Sequence, residues 1–187
     1  MRVACISATP LSMAPITAAF ADFANAGNNA TAAAPSGFEL QHLLDDSLSE
    51  DLNGPRCNGV LDPSFDSRFL SLARYAVEEC GCDAVLFTCS AFGAPIEKVR
   101  ARLGGLGGGG VPVLKPNEAM MEDALRVASD SGYGKEKKKR KIGVLATFAP
   151  TITSITKELE ELMATTGTSV EIVTRHNDSC SRSDSTI

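Results

Sequence analysis

The stretch Asp83-Ala-Val-Leu-Phe-Thr-Cys-Ser-Ala-Phe-Gly93 decides the fold of this 187-residue chain. Ala84 to Phe87 is an apolar run without a charge, which is typical of a strand buried on both faces of a parallel sheet. Small residues follow, and Pro95 suits a first helical turn, so a tight turn and then a helix are predicted. Cys89 therefore lies at the carboxyl end of a strand, the edge where open α/β sheets bind ligands.

This placement supports two interpretations of Cys89. The N–H groups and the positive dipole end of the following helix favour an anion, either a thiolate or the carboxylate of a substrate. Alternatively, Cys89 is a small hydrophobic residue buried at a strand end, as most free cysteines are. The position of the residue leaves both interpretations open.

Composition argues against several classes of function. The net charge of -5, the 5% aromatic content and the absence of Trp are unlike a nucleic-acid-binding protein. No apolar run reaches membrane-spanning length, and the chain starts with a strand rather than a secretory leader. We therefore expect a cytoplasmic protein with no nucleic-acid or membrane partner. The hydrophobic fraction of 43% allows a sizeable core.

The cysteines do not have the spacing of a metal site. Cys80 and Cys82 flank Gly81 at a predicted helix-to-strand turn, which is neither a zinc-ribbon nor a Cys-x-x-Cys pattern. With only two histidines in the chain, we expect free thiols and no bound metal. The six cysteines and the two histidines are Cys5, Cys57, Cys80, Cys82, Cys89, Cys180, His42 and His176.

Apolar runs and helical periodicities alternate along the chain, which predicts an α/β protein with a parallel sheet flanked by helices. Strands are predicted at residues 2–7, 38–44, 84–87, 111–114, 142–146 and 169–173. Helices are predicted at residues 14–24 and 63–80, after Pro95, and at residues 115–129 and 151–165, with Asp62 as a possible cap of the second. Residues 45–58 are polar and are predicted to be a long loop over the strand ends, where lids often lie.

Four segments have biased composition. Residues 28–37 are rich in Asn, Ala and Thr and are predicted to be a loose loop. Residues 104–110 are nearly all glycine, but no Gly-Lys-Ser follows, so a flexible connector is favoured over a phosphate loop. Residues 135–141 are basic, as in a nuclear signal or, more commonly, a solvated loop. Residues 174–187 are polar and Ser-rich and are predicted to be a disordered tail.

Three turns that carry hydroxyl groups directly follow predicted strands. They are Thr9-Pro10, Thr88-Cys89-Ser90 and Thr147. If their strands are parallel neighbours, the turns share one edge, where hydroxyls, helix amides and a thiol could hold a small carboxylate or carbonyl compound. Each Ser or Thr alone is better explained as a helix cap. The threefold repetition favours a shared ligand.

The chain resembles the aspartate/glutamate/hydantoin racemase superfamily from residue 1 to about residue 173. The resemblance lies in the stretch 83–93, in Val111-Pro-Val-Leu-Lys-Pro-Asn-Glu-Ala119, in Lys141-Ile-Gly-Val-Leu-Ala-Thr147 and in Ala8-Thr-Pro10. It implies a cofactor-independent isomerase of amino acid metabolism, a racemase with two similar α/β halves around one active site. In that family one cysteine thiolate removes the α-proton of the substrate, and a second cysteine returns a proton on the opposite face.

The same resemblance implies roles for individual residues. Cys89 matches the acid/base of the first half, and Ser90 and Ala91 match positions that hold the substrate carboxylate. The turns Thr9-Pro10 and Thr147 match the substrate-holding turns of the two halves. The expected substrate is a small amino acid or related carboxylate, and a homo-oligomer is possible.

The second half departs from the family pattern. A second cysteine is expected after a later strand, whereas Cys180 has no strand before it. We therefore expect a C-terminally truncated member, with a first half at residues 1–134 that carries Cys89, an incomplete second half at residues 135–173 and a tail at residues 174–187. A one-thiol decarboxylation or cis–trans isomerisation would need fewer parts.

Two other functions stay open. The chain could be a catalytically inactive protein of this fold that binds a small carboxylate or a partner subunit. A thiol-based redox enzyme or hydrolase is less favoured, because neither His42 nor His176 lies in a motif that would activate Cys89.

Overall fold

The structure is a computed structural model that describes residues 1–28, 37–104, 110–129, 140–147 and 149–177. The chain is an α/β protein and forms two compact units, Met1–Pro116 and Asn117–Ile187. None of the helices within the described ranges is both long and apolar enough to cross a membrane.

The first unit contains a four-stranded sheet, which confirms the predicted α/β class with a parallel sheet. The strand order is β2-β1-β3-β4, and every neighbouring pair is parallel. The strands agree with the predicted positions, although β4 is shorter than expected. In chain order the elements are β1 (Arg2–Ser7), α1 (Met13–Asn28), β2 (Glu39–Leu44), α2 (Ser47–Asn53), α3 (Ser64–Arg74), β3 (Ala84–Phe87), α4 (Gly93–Leu103) and β4 (Val113–Leu114).

Helices cover both faces of this sheet, as a parallel sheet requires. On one face, Ile16 and Phe20 of α1 pack against Val3 and Cys5 of β1. On the other face, Phe69 of α3 stacks on Phe87 of β3 with ring centroids 5.1 Å apart. Phe65 and Phe92 complete an aromatic cluster with Phe69 on this second face. The helical periodicity of α3 reflects this packing, because its buried residues lie on one side.

Register brings the carboxyl ends of the strands to one edge. Ser7 of β1 pairs with Leu44 of β2, and Ile6 pairs with Phe87 of β3. Leu86 of β3 in turn pairs with Leu114 of β4. The residues that directly follow these strands therefore share the carboxyl edge of the sheet.

The predicted long loop at residues 45–58 is wrong in its central part, because residues 47–53 form α2. Leu48 and Leu52 are one helical turn apart and are buried. Two leucines are a weak periodic signal in a polar stretch, so composition alone favoured a loop. Burial of this pair against the rest of the unit stabilises a helix that would be marginal in isolation.

The second unit contains α5 (Glu118–Ser129), β5 (Lys141–Ala146), α6 (Ala149–Thr166) and β6 (Glu171–His176). β5 and β6 form a separate two-stranded parallel sheet. The core of the second unit is a cluster of buried apolar residues from α5, β5 and α6, together with the residue that precedes β6. These residues are Met121, Leu125, Val144, Ile155, Leu159 and Val170.

The predicted tail begins too early. Thr174, Arg175 and His176 belong to β6 and pair with Val144, Leu145 and Ala146 of β5. Their side chains are exposed and polar, so no apolar pattern marks them in the sequence. The backbone hydrogen bonds to β5 hold them in the strand regardless of side-chain character.

Along the chain, the boundary between the two compact units falls between Pro116 and Asn117. The sequence placed a boundary between halves after residue 134, but Met121 and Leu125 of α5 pack in the core cluster of the second unit. That packing assigns α5 to the second unit. The two similar halves implied by the family resemblance stay a prediction. Residues 29–36, 105–109, 130–139 and 178–187 lie outside the described residues, and with them most of the predicted loose loop, glycine connector, basic loop and tail.

Candidate functional site

The turn after β1 is organised by Thr9. The Thr9 hydroxyl accepts a hydrogen bond from the Leu11 amide at 3.4 Å, and the Ser12 hydroxyl donates to the Thr9 carbonyl at 3.0 Å. Pro10 is the first residue of the short 3-10 helix Pro10–Ser12, where a missing N–H costs nothing. Thr9 is thus a cap, as expected for a single turn, and Pro10 is exposed.

A chain of hydroxyl groups joins this turn to the turn after β3. The Thr88 hydroxyl donates to the hydroxyl of Ser7 at 3.0 Å, and it lies 3.1 Å from the hydroxyl of Ser12. The Thr88 amide donates to the Ile6 carbonyl at 3.0 Å, which continues the pairing of β1 and β3. Two of the three predicted turns therefore lie side by side at the carboxyl edge of one sheet.

Cys89 lies in the second of these turns and is partly exposed. Its backbone is extended, and the short 3-10 helix Ser90–Phe92 begins directly after it. Burial raises the pKa of the Cys89 thiol above its ordinary value of 9, while a hydrogen bond from the Ala91 amide acts in the opposite direction. A backbone amide in this position stabilises the charged form of the sulfur. Burial outweighs it, so the uncharged thiol is the favoured form in the free protein.

Thr147 does not follow a strand of the same sheet. It comes after β5, whose hydrogen-bonding partner is β6, in the second unit. The premise that all three turns follow strands of one sheet is therefore wrong, because β5 pairs with β6 rather than with β1 or β3. Thr147 is exposed, and its carbonyl oxygen lies 3.2 Å from Nε2 of His176. A role for Thr147 in binding stays a prediction.

Asp45, which follows β2 at the same edge, was not predicted as a site residue. The Asp45 amide donates to the Ser7 carbonyl at 2.9 Å. Arg68 of α3 donates from Nε to the Asp45 carboxylate at 2.6 Å and from Nη1 to Asp51 of α2, also at 2.6 Å. The Ser49 hydroxyl donates to the carbonyl of Ala8 at 2.9 Å. These contacts fix α2 beside the two turns.

Lys115 is a second residue that sequence reasoning missed. It follows β4 directly, and its side chain is only 10% exposed. Nζ of Lys115 lies 2.6 Å from Oε1 of Glu97. The same carboxylate oxygen lies 3.4 Å from Nη1 of Arg100. Thr9 and Cys89 were selected as polar residues within two positions of the end of a predicted strand, and the same rule applied to the sequence selects Asp45 and Lys115.

No three His, Cys, Asp or Glu side chains come together as a metal site in the described part of the chain. Nε2 of His42 lies 2.9 Å from the Thr17 hydroxyl, and the Cys57 thiol donates to the Asp62 carboxylate at 3.4 Å. The polar groups gathered at the carboxyl edge are thus hydroxyls, one thiol, Asp45 with its Arg68 partner, and Lys115 with its Glu97 partner.

Comparison with known proteins yields no match. No family model, no curated protein and no solved structure matches the chain.

Proposed function

We propose that the chain is a cofactor-independent isomerase that moves the α-proton of a small amino acid or related carboxylate, with Cys89 as its acid/base. One observation carries the proposal. Cys89 lies at the carboxyl end of β3, with the Ala91 amide at its sulfur, in a turn joined to the Thr9 turn through Ser7, Thr88 and Ser12. This edge is where α/β sheets place ligands.

The chemistry needs a base of sufficient strength and a holder for the developing negative charge. A thiol whose pKa is raised by burial is a stronger base once it is deprotonated, and the α-proton of a carboxylate is only weakly acidic. The Cys89 thiolate takes this proton to form an S–H bond. The electron pair of the broken C–H bond moves into the carboxylate as an enediolate, which amides of the turn at residues 90–92 would stabilise.

Return of a proton completes the reaction. If the Cys89 thiol exchanges its proton with water before returning it, the substrate gains a solvent proton at the α-carbon. Inversion needs a second acid on the opposite face, whereas exchange needs Cys89 alone. Exchange is therefore the activity that tests the role of Cys89 most directly.

The experiment follows α-proton exchange in deuterated water by proton NMR. The substrates are neutral, acidic and basic amino acids, hydantoins and malonates, and the pH is varied. We expect the wild-type chain to exchange the α-proton of at least one class, faster at higher pH as the thiolate fraction grows. Cys89→Ser should abolish exchange, whereas Cys57→Ser should retain it. Absence of exchange with every compound in the panel would refute the proposal.

A carboxylate-binding protein without turnover is the second candidate. The raised pKa of Cys89 favours this binding function, because a thiol that is uncharged near pH 7 does not repel an anionic ligand. In that case, carboxylates raise the thermal unfolding midpoint of the wild-type chain but cause no exchange. If carboxylates still stabilise Cys89→Ser, the turn binds the carboxylate without the sulfur, and the sulfur is needed only for proton transfer.

A further inference from the structure

The passage from α3 to β3 contains Cys80, Gly81 and Cys82 in a tight turn. A π-helical turn, Tyr75–Glu79, directly follows α3, and the Cys80 amide donates to the Tyr75 carbonyl at 3.0 Å. The Cys82 amide donates back to the Ala76 carbonyl, also at 3.0 Å. Gly81 has φ +65°, a left-handed conformation that glycine adopts without steric cost. Such a turn shortens the separation of Cα atoms two residues apart, and a disulfide requires a separation of roughly 4.4–6.8 Å.

The two sulfur atoms lie in different environments. Cys80 is partly exposed. Cys82 is only 4% exposed, and its thiol donates to Oε1 of Gln41 at 3.6 Å. Burial raises the pKa of the Cys82 thiol, and the negative charge of a Cys80 thiolate raises it further. One accessible thiol thus lies next to one protected thiol.

We propose that Cys80 and Cys82 form a redox-active dithiol that closes to a disulfide by exchange with a low-molecular-weight disulfide such as glutathione disulfide. The Cys80 thiolate attacks one sulfur of glutathione disulfide, the S–S bond breaks, and one glutathione leaves as its thiolate. The Cys82 thiolate then attacks the Cys80 sulfur of this mixed disulfide, and the second glutathione leaves. The protein loses two protons and two electrons, and two glutathione molecules are formed.

Other cysteines in the described part of the chain are poorly placed for this reaction. Cys5 is fully buried in the sheet, and burial raises the pKa of its thiol to about 11. The Cys57 thiol is buried and donates to Asp62. Reactivity with disulfides requires an accessible thiolate, so Cys80 is favoured over both as the first site of attack. Cys89 is partly exposed, but its turn contains no second cysteine to resolve a mixed disulfide.

The experiment exposes the full chain to glutathione buffers of increasing oxidised fraction. Free thiols are then alkylated, and the intact protein and its peptides are weighed by mass spectrometry. In the wild-type chain, we expect two of the six thiols to become unavailable to alkylation. The peptide that holds Cys80 and Cys82 should be two hydrogens lighter, with no glutathione attached.

Single variants test the order of the two steps. Cys82→Ser should trap one glutathione on Cys80, because no second thiol can release it. Cys80→Ser should give neither a disulfide nor an adduct in this peptide, because Cys82 is buried. Cys57→Ser is the matched control and should close the pair as the wild-type chain does.

Circular dichroism of each variant verifies that it is folded, and the wild-type peptide map tests the proposal without any variant. Glutathione that stays on Cys80 in the wild-type chain would overturn the proposal, as would a disulfide that joins either cysteine to another position. Neither result bears on α-proton exchange at Cys89.

Discussion

The hydroxyl oxygen of Thr88 lies 3.0 Å from the hydroxyl oxygen of Ser7, and this contact joins the turn after β3 to the end of β1. Ser7 is fully buried, so its hydroxyl group depends on protein partners rather than on water. The same Thr88 hydroxyl lies beside Ser12, at the end of the turn that Thr9 begins. Thr88 is therefore the residue that ties the candidate acid/base to the neighbouring turn.

Replacement of Thr88 by valine keeps the shape of the side chain but removes its hydroxyl group. We expect a loss of about 1–3 kcal/mol in the free energy of unfolding, because the buried hydroxyl of Ser7 loses a partner. Urea unfolding measures this loss. Thr88→Ser keeps the hydroxyl group and is the control, with a smaller loss. Equal losses in the two variants would show that the hydroxyl contact contributes nothing.

Replacement of Arg68 by methionine removes the cation that joins α2 to α3. Asp45, whose side chain is only 18% exposed, then loses its guanidinium partner. We expect the free energy of unfolding to fall by about 1–3 kcal/mol, and Arg68→Lys to recover only part of it, because lysine lacks the planar fork. Chemical denaturation and hydrogen exchange of α2 amides measure both effects.

Arg74→Met is the matched control for Arg68, since both residues lie on α3. Arg74 is 3.9 Å from Glu78, and both side chains are more than half exposed, so this ion pair should add little stability. If Arg74→Met destabilises the protein as much as Arg68→Met, the contacts of Arg68 with Asp45 and Asp51 do not hold α2 in place.

The stability of the protein should decrease above pH 9 because of Cys5. Burial, with a smaller contribution from the charge of Cys82, raises the pKa of the Cys5 thiol from 9 to about 11. Between these values the unfolded chain has lost this proton and the folded chain has kept it. The free energy of unfolding therefore falls as pH rises, by up to about 1.4 kcal/mol per pH unit. Below pH 9 this contribution is constant.

Urea unfolding of the wild-type chain and of Cys5→Ala, at a series of pH values from neutral to strongly alkaline, tests this pH dependence. The variant is expected to have a shallower decline above pH 9. An unchanged slope would mean that other groups, and not Cys5, cause the alkaline loss of stability.

Replacement of Phe69 by alanine should be among the most damaging single changes in the first unit. Phe69 is buried between Phe87 and Phe92, with ring centroids at 5.1 and 5.0 Å. We expect a loss of about 3–5 kcal/mol from lost burial and from the cavity that remains. Thermal and urea unfolding measure it.

Phe23→Ala provides the comparison for Phe69. Phe23 contacts Phe38 at 6.1 Å between ring centroids but is 58% exposed, so its removal should cost much less. A Phe69 variant no less stable than the Phe23 variant would contradict the assignment of the core.

Much of the first unit could be predicted from the sequence because its two inner strands are short and strongly apolar. β1 and β3 are the inner strands of the sheet and are largely buried, so their residues form uninterrupted apolar runs that composition alone reveals. The position of Cys89 followed from the same run. α2 and the end of β6 were missed, because Leu48 and Leu52 are a weak signal and Thr174–His176 are polar.

The neighbours of Cys89 at the candidate site could be predicted only in part. Thr9 and Cys89 follow strands that are adjacent in the sheet, so their turns meet as expected. Thr147 follows an equally apolar strand, and nothing in its local sequence distinguishes the sheet to which that strand belongs. The contacts of Thr88 with Ser7 and of Arg68 with Asp45 join residues that are far apart in sequence.

The sequence by itself determined where strands and helices alternate and which thiol ends a buried strand, because hydrophobic periodicity is a local property of the chain. Only the tertiary structure decided which strands are hydrogen-bonded to one another, and therefore which turns share an edge. It also decided the direction in which the pKa of Cys89 is shifted, since burial raises this pKa and the Ala91 amide lowers it. Burial depends on how distant segments pack, and no local pattern of residues contains that information.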